Sequence, residues 1–185
     1  DADGTAANPI LIMGYPGEKI TISNTLGSGY LGTTHGLSAM GTAGNDYIIL
    51  QGLTIKSSFS MGDTSNTIIR NNTFIGLNDP NGYYWSNYGG LFFRGGSNNL
   101  VRNNYFTNYY KYNNGEIDSR VGAIVIFNYE TIDKNNVFEN NLFENNYKSI
   151  MDKDHSRGTT HRKSIHTFMS QHSSGCLLTC LVKRL

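Results

Sequence analysis

Aromatic residues crowd into two short stretches: Tyr83, Tyr84, Trp85 and Tyr88 in one, and Tyr109, Tyr110 and Tyr112 in the next. A flat ring with a polar edge stacks on a sugar face and bonds its hydroxyls, so these stretches are candidate carbohydrate-binding loops. The competing reading has the same rings covering the outside of packed segments or closing the loops against them. Carboxylates gather at Glu116 and Asp118 and again at Asp152 and Asp154. Such alternating acids can supply part of the roughly six to eight oxygens that calcium takes. The pairs stand far apart in sequence, so only the fold can join them, and an Asp in a turn commonly just bonds its own backbone. His155, His161, His166 and His172 follow no helical or zinc spacing. Cys176 and Cys180 form neither a CxxC pair nor an evident disulfide framework, and read as buried or incidental thiols.

The elements that must position these groups lie within 185 residues, long enough for one domain with a real core. With 15 basic and 14 acidic side chains, no general electrostatic hold on nucleic acid is expected, and a partner must be chosen by local groups. No apolar run reaches the roughly 18–20 residues of a membrane span. The opening Asp1-Ala2-Asp3-Gly4-Thr5 carries no basic and apolar leader, and reads as the start of a mature product or an internal fragment. Asparagine occurs 23 times before residue 155 and never after it. Charge changes at the same boundary, from a net −4 over 1–154 to +5 over 155–185. Two regions follow: a main domain over 1–154 and a basic, asparagine-free tail over 155–185.

Within the first region a phrase recurs. Ile49-Leu50-Gln51-Gly52-Leu53-Thr54-Ile55 aligns with Ile68-Ile69-Arg70-Asn71-Asn72-Thr73-Phe74, Leu100-Val101-Arg102-Asn103-Asn104-Tyr105-Phe106 and Val137-Phe138-Glu139-Asn140-Asn141-Leu142-Phe143. Each copy is strand, bend, strand, because β-branched and aromatic residues favour strands while Asn and Gly tolerate positive φ. Between copies lie Gly90–Arg94, Ala123–Phe127 and Ser149–Lys153, further strand-like pieces expected to share one sheet. The pattern predicts an all-β fold with little helix, a parallel β-helix (solenoid) of a few coils joined by unequal loops. An antiparallel sandwich is the alternative. In the β-helix, Asn72, Asn104 and Asn141 stack as an internal ladder. Leu91, Phe93, Ile124, Ile126 and Ile150 then face inward, and Arg94 and Lys153 outward.

The opening phrase Gly4-Thr5-Ala6-Ala7-Asn8-Pro9-Ile10-Leu11-Ile12, followed by Tyr15-Pro16-Gly17-Glu18-Lys19-Ile20, resembles the first coil of secreted right-handed parallel β-helix proteins of the polysaccharide lyase type. The resemblance spans about residues 4–154 and implies a carbohydrate-active, extracellular or cell-surface protein whose partner is an acidic polysaccharide. Lyases of that group use a Lys or Arg base to remove the proton beside a uronate carboxylate, which calcium or another cation neutralises. On that basis Arg94, Arg120 and Lys153 are the candidate catalytic residues. Glu116, Asp118, Asp152 and Asp154 are the candidate calcium ligands, and Tyr83, Tyr84, Trp85, Tyr88, Tyr109 and Tyr110 the substrate-binding rings. The group's calcium-acid and Arg-His-Gly-Asn signatures are missing, so no role transfers by motif. A non-catalytic adhesive β-helix that binds glycans through its tyrosines is the second expectation.

The tail is either a capping element or a non-native continuation. Gly158–Phe168 has the length of Gly96–Phe106 but matches it only at the ends. Light scattering and thermal melts of residues 1–154 alone separate the two. A foreign tail predicts an unchanged melt. A true cap predicts association, because its loss bares strand edges.

Overall fold

A computed structural model describes residues 3–23, 45–56, 59–62, 64–76, 89–94, 96–109, 112–113, 116–117, 122–128 and 135–154. For 60–62, 92–94, 112–113, 116–117, 127–128 and 152–154 it describes the backbone alone. The tail, with its histidines and cysteines, lies outside the described residues.

Strands are numbered β1 to β16 in chain order. Sheet A stacks β1 (Ile10–Met13), β3 (Ile48–Gln51), β6 (Ile68–Arg70), β9 (Leu100–Arg102) and β14 (Val137–Glu139). Sheet B stacks β2 (Ile20–Ser23), β4 (Leu53–Lys56), β7 (Thr73–Ile75), β10 (Tyr105–Thr107) and β15 (Leu142–Glu144). Sheet C stacks β5 (Phe59–Gly62), β8 (Gly89–Arg94), β13 (Gly122–Asn128) and β16 (Ile150–Asp154). Every pairing in these sheets is parallel, which rules out the antiparallel sandwich. From β3 onward the chain visits A, B and C in rotation and returns one strand further on, an order consistent with a parallel β-solenoid. A small antiparallel hairpin, β11 (Tyr112–Asn113) with β12 (Glu116–Ile117), lies between β10 and β13. No helix occurs among the described residues, and none is therefore long and apolar enough to cross a membrane.

Strict register turns the alternation of each strand into stacked rows. In sheet A, Ile12, Leu50, Ile69, Val101 and Phe138 form one inward row. In sheet B, Ile22, Ile55, Phe74, Phe106 and Phe143 form another. The Phe74 and Phe106 rings are stacked at 4.6 Å and 7°, and those of Phe106 and Phe143 at 5.2 Å and 12°. This offset stacking contributes on the order of 1 kcal/mol per pair beyond area burial. In sheet C, Phe59, Leu91 and Ile124 are buried and Ile150 packs against them, as alternation requires. Ile126 is buried as well. Val125 and Met151 are buried too, in a separate small cluster, so sheet C is apolar on both faces there.

The bends are built from asparagine in two roles. Asn71, Asn103 and Asn140 hold φ of 56°, 53° and 52° at one corner, where Gly52 holds 70° in the earliest copy. The next residue turns its amide inward. Asn72 Nδ2 donates to Leu50 O at 3.0 Å and to Asn104 Oδ1 at 3.1 Å. Asn104 Nδ2 donates to Ile69 O at 2.9 Å and to Asn141 Oδ1 at 3.0 Å, and Asn141 Nδ2 to Val101 O at 2.9 Å. Each Oδ1 also accepts the backbone N–H of the preceding turn.

Two further corners follow the same rule. Asn66, Asn98 and Asn135 have positive φ ahead of Thr67, Asn99 and Asn136. Asn108 and Asn145 do so ahead of Tyr109 and Asn146. The last turn is thus a five-residue repeat, Asn135-Asn136-Val137-Phe138-Glu139 followed by Asn140-Asn141-Leu142-Phe143-Glu144 and Asn145-Asn146. Asn104→Leu should be the costliest single ladder change, because Asn72 N, Asn72 Nδ2 and Ile69 O each lose a partner at about 1–3 kcal/mol apiece. A melting temperature lower by at least about 6 °C is expected. Asn103→Gly, which keeps the corner geometry, should melt within a few degrees of the parent; a neutral Asn104→Leu would defeat the ladder as a source of stability.

Candidate functional site

The three intermediate strands do share one sheet, and their register aligns two of the candidate bases. Arg94 of β8 pairs with Phe127 of β13, which pairs with Lys153 of β16. Two interstrand steps put the backbones of Arg94 and Lys153 about 9.6 Å apart. In the same sheet Asp152 is in register with Ile126 and Asp154 with Asn128. Glu116 belongs to β12, which among the described residues pairs only with β11, so Glu116 and the Asp152 and Asp154 positions occupy different sheets. Arg120, Asp118, Tyr83, Tyr84, Trp85, Tyr88 and Tyr110 lie outside the described residues. Among the described residues no grouping of three or more His, Cys, Asp or Glu could hold a metal ion.

Tyr109 requires a correction. Rather than presenting its ring to a ligand, it is fully buried and belongs to the main core. Its backbone N–H donates to Asn146 Oδ1 at 2.9 Å, which ties it into the third corner. Its ring lies so close to β8 that a Cβ at Gly90 would come within 2.5 Å of Tyr109 Cζ. Close approach therefore requires glycine at position 90, and Tyr109 closes its loop against the coil. Spacing was the signal: Tyr109 stands five residues after Asn104, as Asn104 does after Asn99, which places it at a ladder position.

A basic site that the sequence reading passed over lies on the outer face of sheet A. Met13, Gln51, Arg70, Arg102 and Glu139 are in direct register, one from each turn. Gln51 Nε2 lies 3.6 Å from Met13 Sδ, and Arg70 Nε donates to Gln51 Oε1 at 2.7 Å. Arg102 Nε is buried without a hydrogen-bond partner. Beside this row run Leu11, Ile49, Ile68, Leu100 and Val137, also in register and exposed or half-buried. Two guanidiniums one strand apart repel, and a buried donor without a partner is costly. An anion bridging Arg70 and Arg102 relieves both, since a guanidinium presents its donors as a planar fork. The signal lay inside the aligned phrases, where Arg70 and Arg102 occupy the same place in consecutive copies.

On the outer face of sheet B, Tyr105 Oη donates to Glu144 Oε2 from the neighbouring turn. That hydrogen bond first, and burial second, raise the Tyr105 pKa above the usual tyrosine value.

The opening phrase acts structurally. Gly4 N–H donates to Asp46 O at 3.0 Å, Thr5 and Asn8 bond each other's backbones, and Ile10 N–H donates to Tyr47 O at 3.0 Å. Glu18 N–H donates to Tyr15 O at 2.9 Å across Pro16-Gly17, with Gly17 at φ 89°. Proline followed by a residue of positive φ is the type II turn, which glycine favours. The phrase closes the first turn onto the second.

The chain matches no protein-family model, no curated protein and no solved structure. The likeness to polysaccharide lyases therefore has no family or relative behind it, and it reaches the parallel all-β architecture alone.

The Tyr105–Glu144 hydrogen bond couples folding to alkaline pH. A raised folded-state pKa means that the protonated phenol is favoured by folding. The stabilisation is complete below the unfolded value of about 10 and is lost as pH rises through the folded pKa. Melts from neutral to strongly alkaline pH should show Tyr105→Phe insensitive to part of the alkaline decline of the parent. Identical pH profiles would show that the phenol is uncoupled from folding.

Proposed function

We propose that this chain is a right-handed parallel β-helix that binds an acidic polysaccharide and cleaves it by β-elimination. The observation that carries the reading is the Arg70–Arg102 pair, in register on a sheet face and bordered by Ile68 and Leu100. Parallel crossovers are right-handed in about 98% of sheets, which supplies the hand. A polymer lying along the stack meets a new strand at every step of about 4.8 Å, so a repeating ligand suits a repeating surface. Uronate carboxylates would take the two guanidinium forks, and the apolar row would accept the C–H face of a ring.

The elimination step would act on a stretch of the polymer that passes from sheet A across sheet C, a separate sheet where Arg94 and Lys153 share a register row. A neutral basic nitrogen there takes the proton on the carbon beside the carboxylate. The freed electron pair forms the double bond as the glycosidic C–O bond breaks, and the leaving oxygen takes a proton back from the now-protonated base or from water. A second cationic group near the carboxylate stabilises the charge that builds on it. Calcium is the cofactor that the lyase resemblance implies.

Pectate, alginate and glycosaminoglycans should each be tested for binding and for ultraviolet absorbance from new unsaturated ends. Arg70→Gln with Arg102→Gln should weaken binding to the preferred polymer by at least about tenfold, the equivalent of roughly 1.4 kcal/mol. Lys153→Ala should suppress the absorbance while sparing binding. Binding without absorbance on any acidic polymer sinks the elimination step and leaves a non-catalytic glycan-binding protein. Absence of binding to all of them sinks the proposal.

A further inference from the structure

Charge changes sign along a single row of sheet A. Gln51, Arg70, Arg102 and Glu139 stand in register on the successive strands β3, β6, β9 and β14. Ile49, Ile68, Leu100 and Val137 run beside them on the same face, half-buried. Arg70 is engaged by Gln51 at 2.7 Å, while Arg102 Nε has no partner. Opposite charges directly across a sheet ordinarily attract and pair. Among the described residues no ion pair joins Arg102 to Glu139. The guanidinium is thus left to a ligand, and the half-buried carboxylate meets whatever part of that ligand lies one strand further on.

We infer that Glu139 determines which acidic polymer the sheet A face accepts, selecting chains in which acidic and neutral sugars alternate over chains in which every sugar is acidic. The inference rests on the reading of this face as a polysaccharide surface. A sugar residue in an extended chain is about as long as one interstrand step of about 4.8 Å, so each strand meets about one sugar. An alternating polymer has a register that puts an acid over Arg102 on β9 and a neutral sugar over β14. That sugar keeps an apolar contact with Val137, in register with Leu100, and can donate a hydroxyl or amide hydrogen to the Glu139 carboxylate. A polymer of uronate alone has no such register. With one acid over Arg102, its next acid falls over Glu139, well inside the roughly 8 Å that physiological salt needs to screen a charge. A carboxylate so placed discriminates by repelling the wrong ligand more than by holding the right one.

The test uses the full chain and two labelled oligosaccharide probes of equal length, read by fluorescence anisotropy at low salt. One comes from hyaluronan, which alternates uronate with a neutral N-acetylated sugar, and the other from polygalacturonate, which is uronate throughout. The parent should bind the hyaluronan probe more tightly. Glu139→Gln should narrow that preference by about two- to fivefold, the range of a single exposed charge interaction, chiefly by tightening polygalacturonate. Glu18→Gln removes the same charge from an exposed position in the first turn and should leave the ratio unchanged. Equal affinities in the parent, a parent preference for polygalacturonate, or a ratio that Glu139→Gln does not move overturns the inference while the polysaccharide reading stands. Binding of neither probe also overturns it, and absence of binding to alginate as well takes down the reading beneath it.

Discussion

A primary amide buried in an apolar interior must find partners for both its donors and its acceptor, and the fold is arranged around meeting that demand once per corner. Asn104 shows how it is met. Its oxygen takes two donors from the turn before, and its nitrogen serves a carbonyl of that turn and the oxygen of the turn after. An isolated asparagine could not be satisfied there, whereas a column of them is. The same requirement fixes register, because a slip of one residue would strand every amide of the column and invert every inward row. The stacked Phe74, Phe106 and Phe143 rings are a consequence of that register.

Asparagine serves at the corners for two unrelated reasons, and the chain places both side by side. At Asn103 the residue is needed for its tolerance of left-handed backbone, and its side chain is exposed. At Asn104 the backbone is ordinary and the amide is the point. The dipeptide is thus a corner plus its bolt, and its recurrence every five residues leaves three residues for each strand. Only the middle one of the three points inward, which is why Val101, Phe106, Phe138 and Phe143 are apolar while their neighbours vary freely.

Much of this was legible without coordinates. Asn72, Asn104 and Asn141 were separable from the other asparagines because they follow the same aliphatic phrase, and Gly90–Arg94, Ala123–Phe127 and Ser149–Lys153 were recognisable as partners. The other two corner columns were not seen, because Thr67 and Tyr109 interrupt them and break the run of like residues. Tyr109 was misjudged for a related reason: composition marks a cluster of tyrosines, and only position in the five-residue repeat tells a buried one from a surface one. The Arg70–Arg102 pair escaped notice because a cation on a strand is usually solvated, and its significance depends on register. Function was the least legible part. The opening phrase that resembles lyases makes a turn and a closure, both of which any parallel coil of this shape requires.

The columns hold their bond lengths at 3.0 Å although the segments between successive members are of quite different length: 19 residues from Leu53 to Asn72, 32 to Asn104 and 37 to Asn141. The frame is therefore indifferent to how much chain leaves it between one visit and the next. Lengthening an excursion costs little in closure entropy, about 0.6 kcal/mol per doubling, and disturbs no rung. An architecture of this kind separates the part that must be conserved in geometry from the part that can be rewritten. New recognition surfaces can be spliced between Gly76 and Gly89, or between Asn128 and Asn135, while the column beneath remains unchanged.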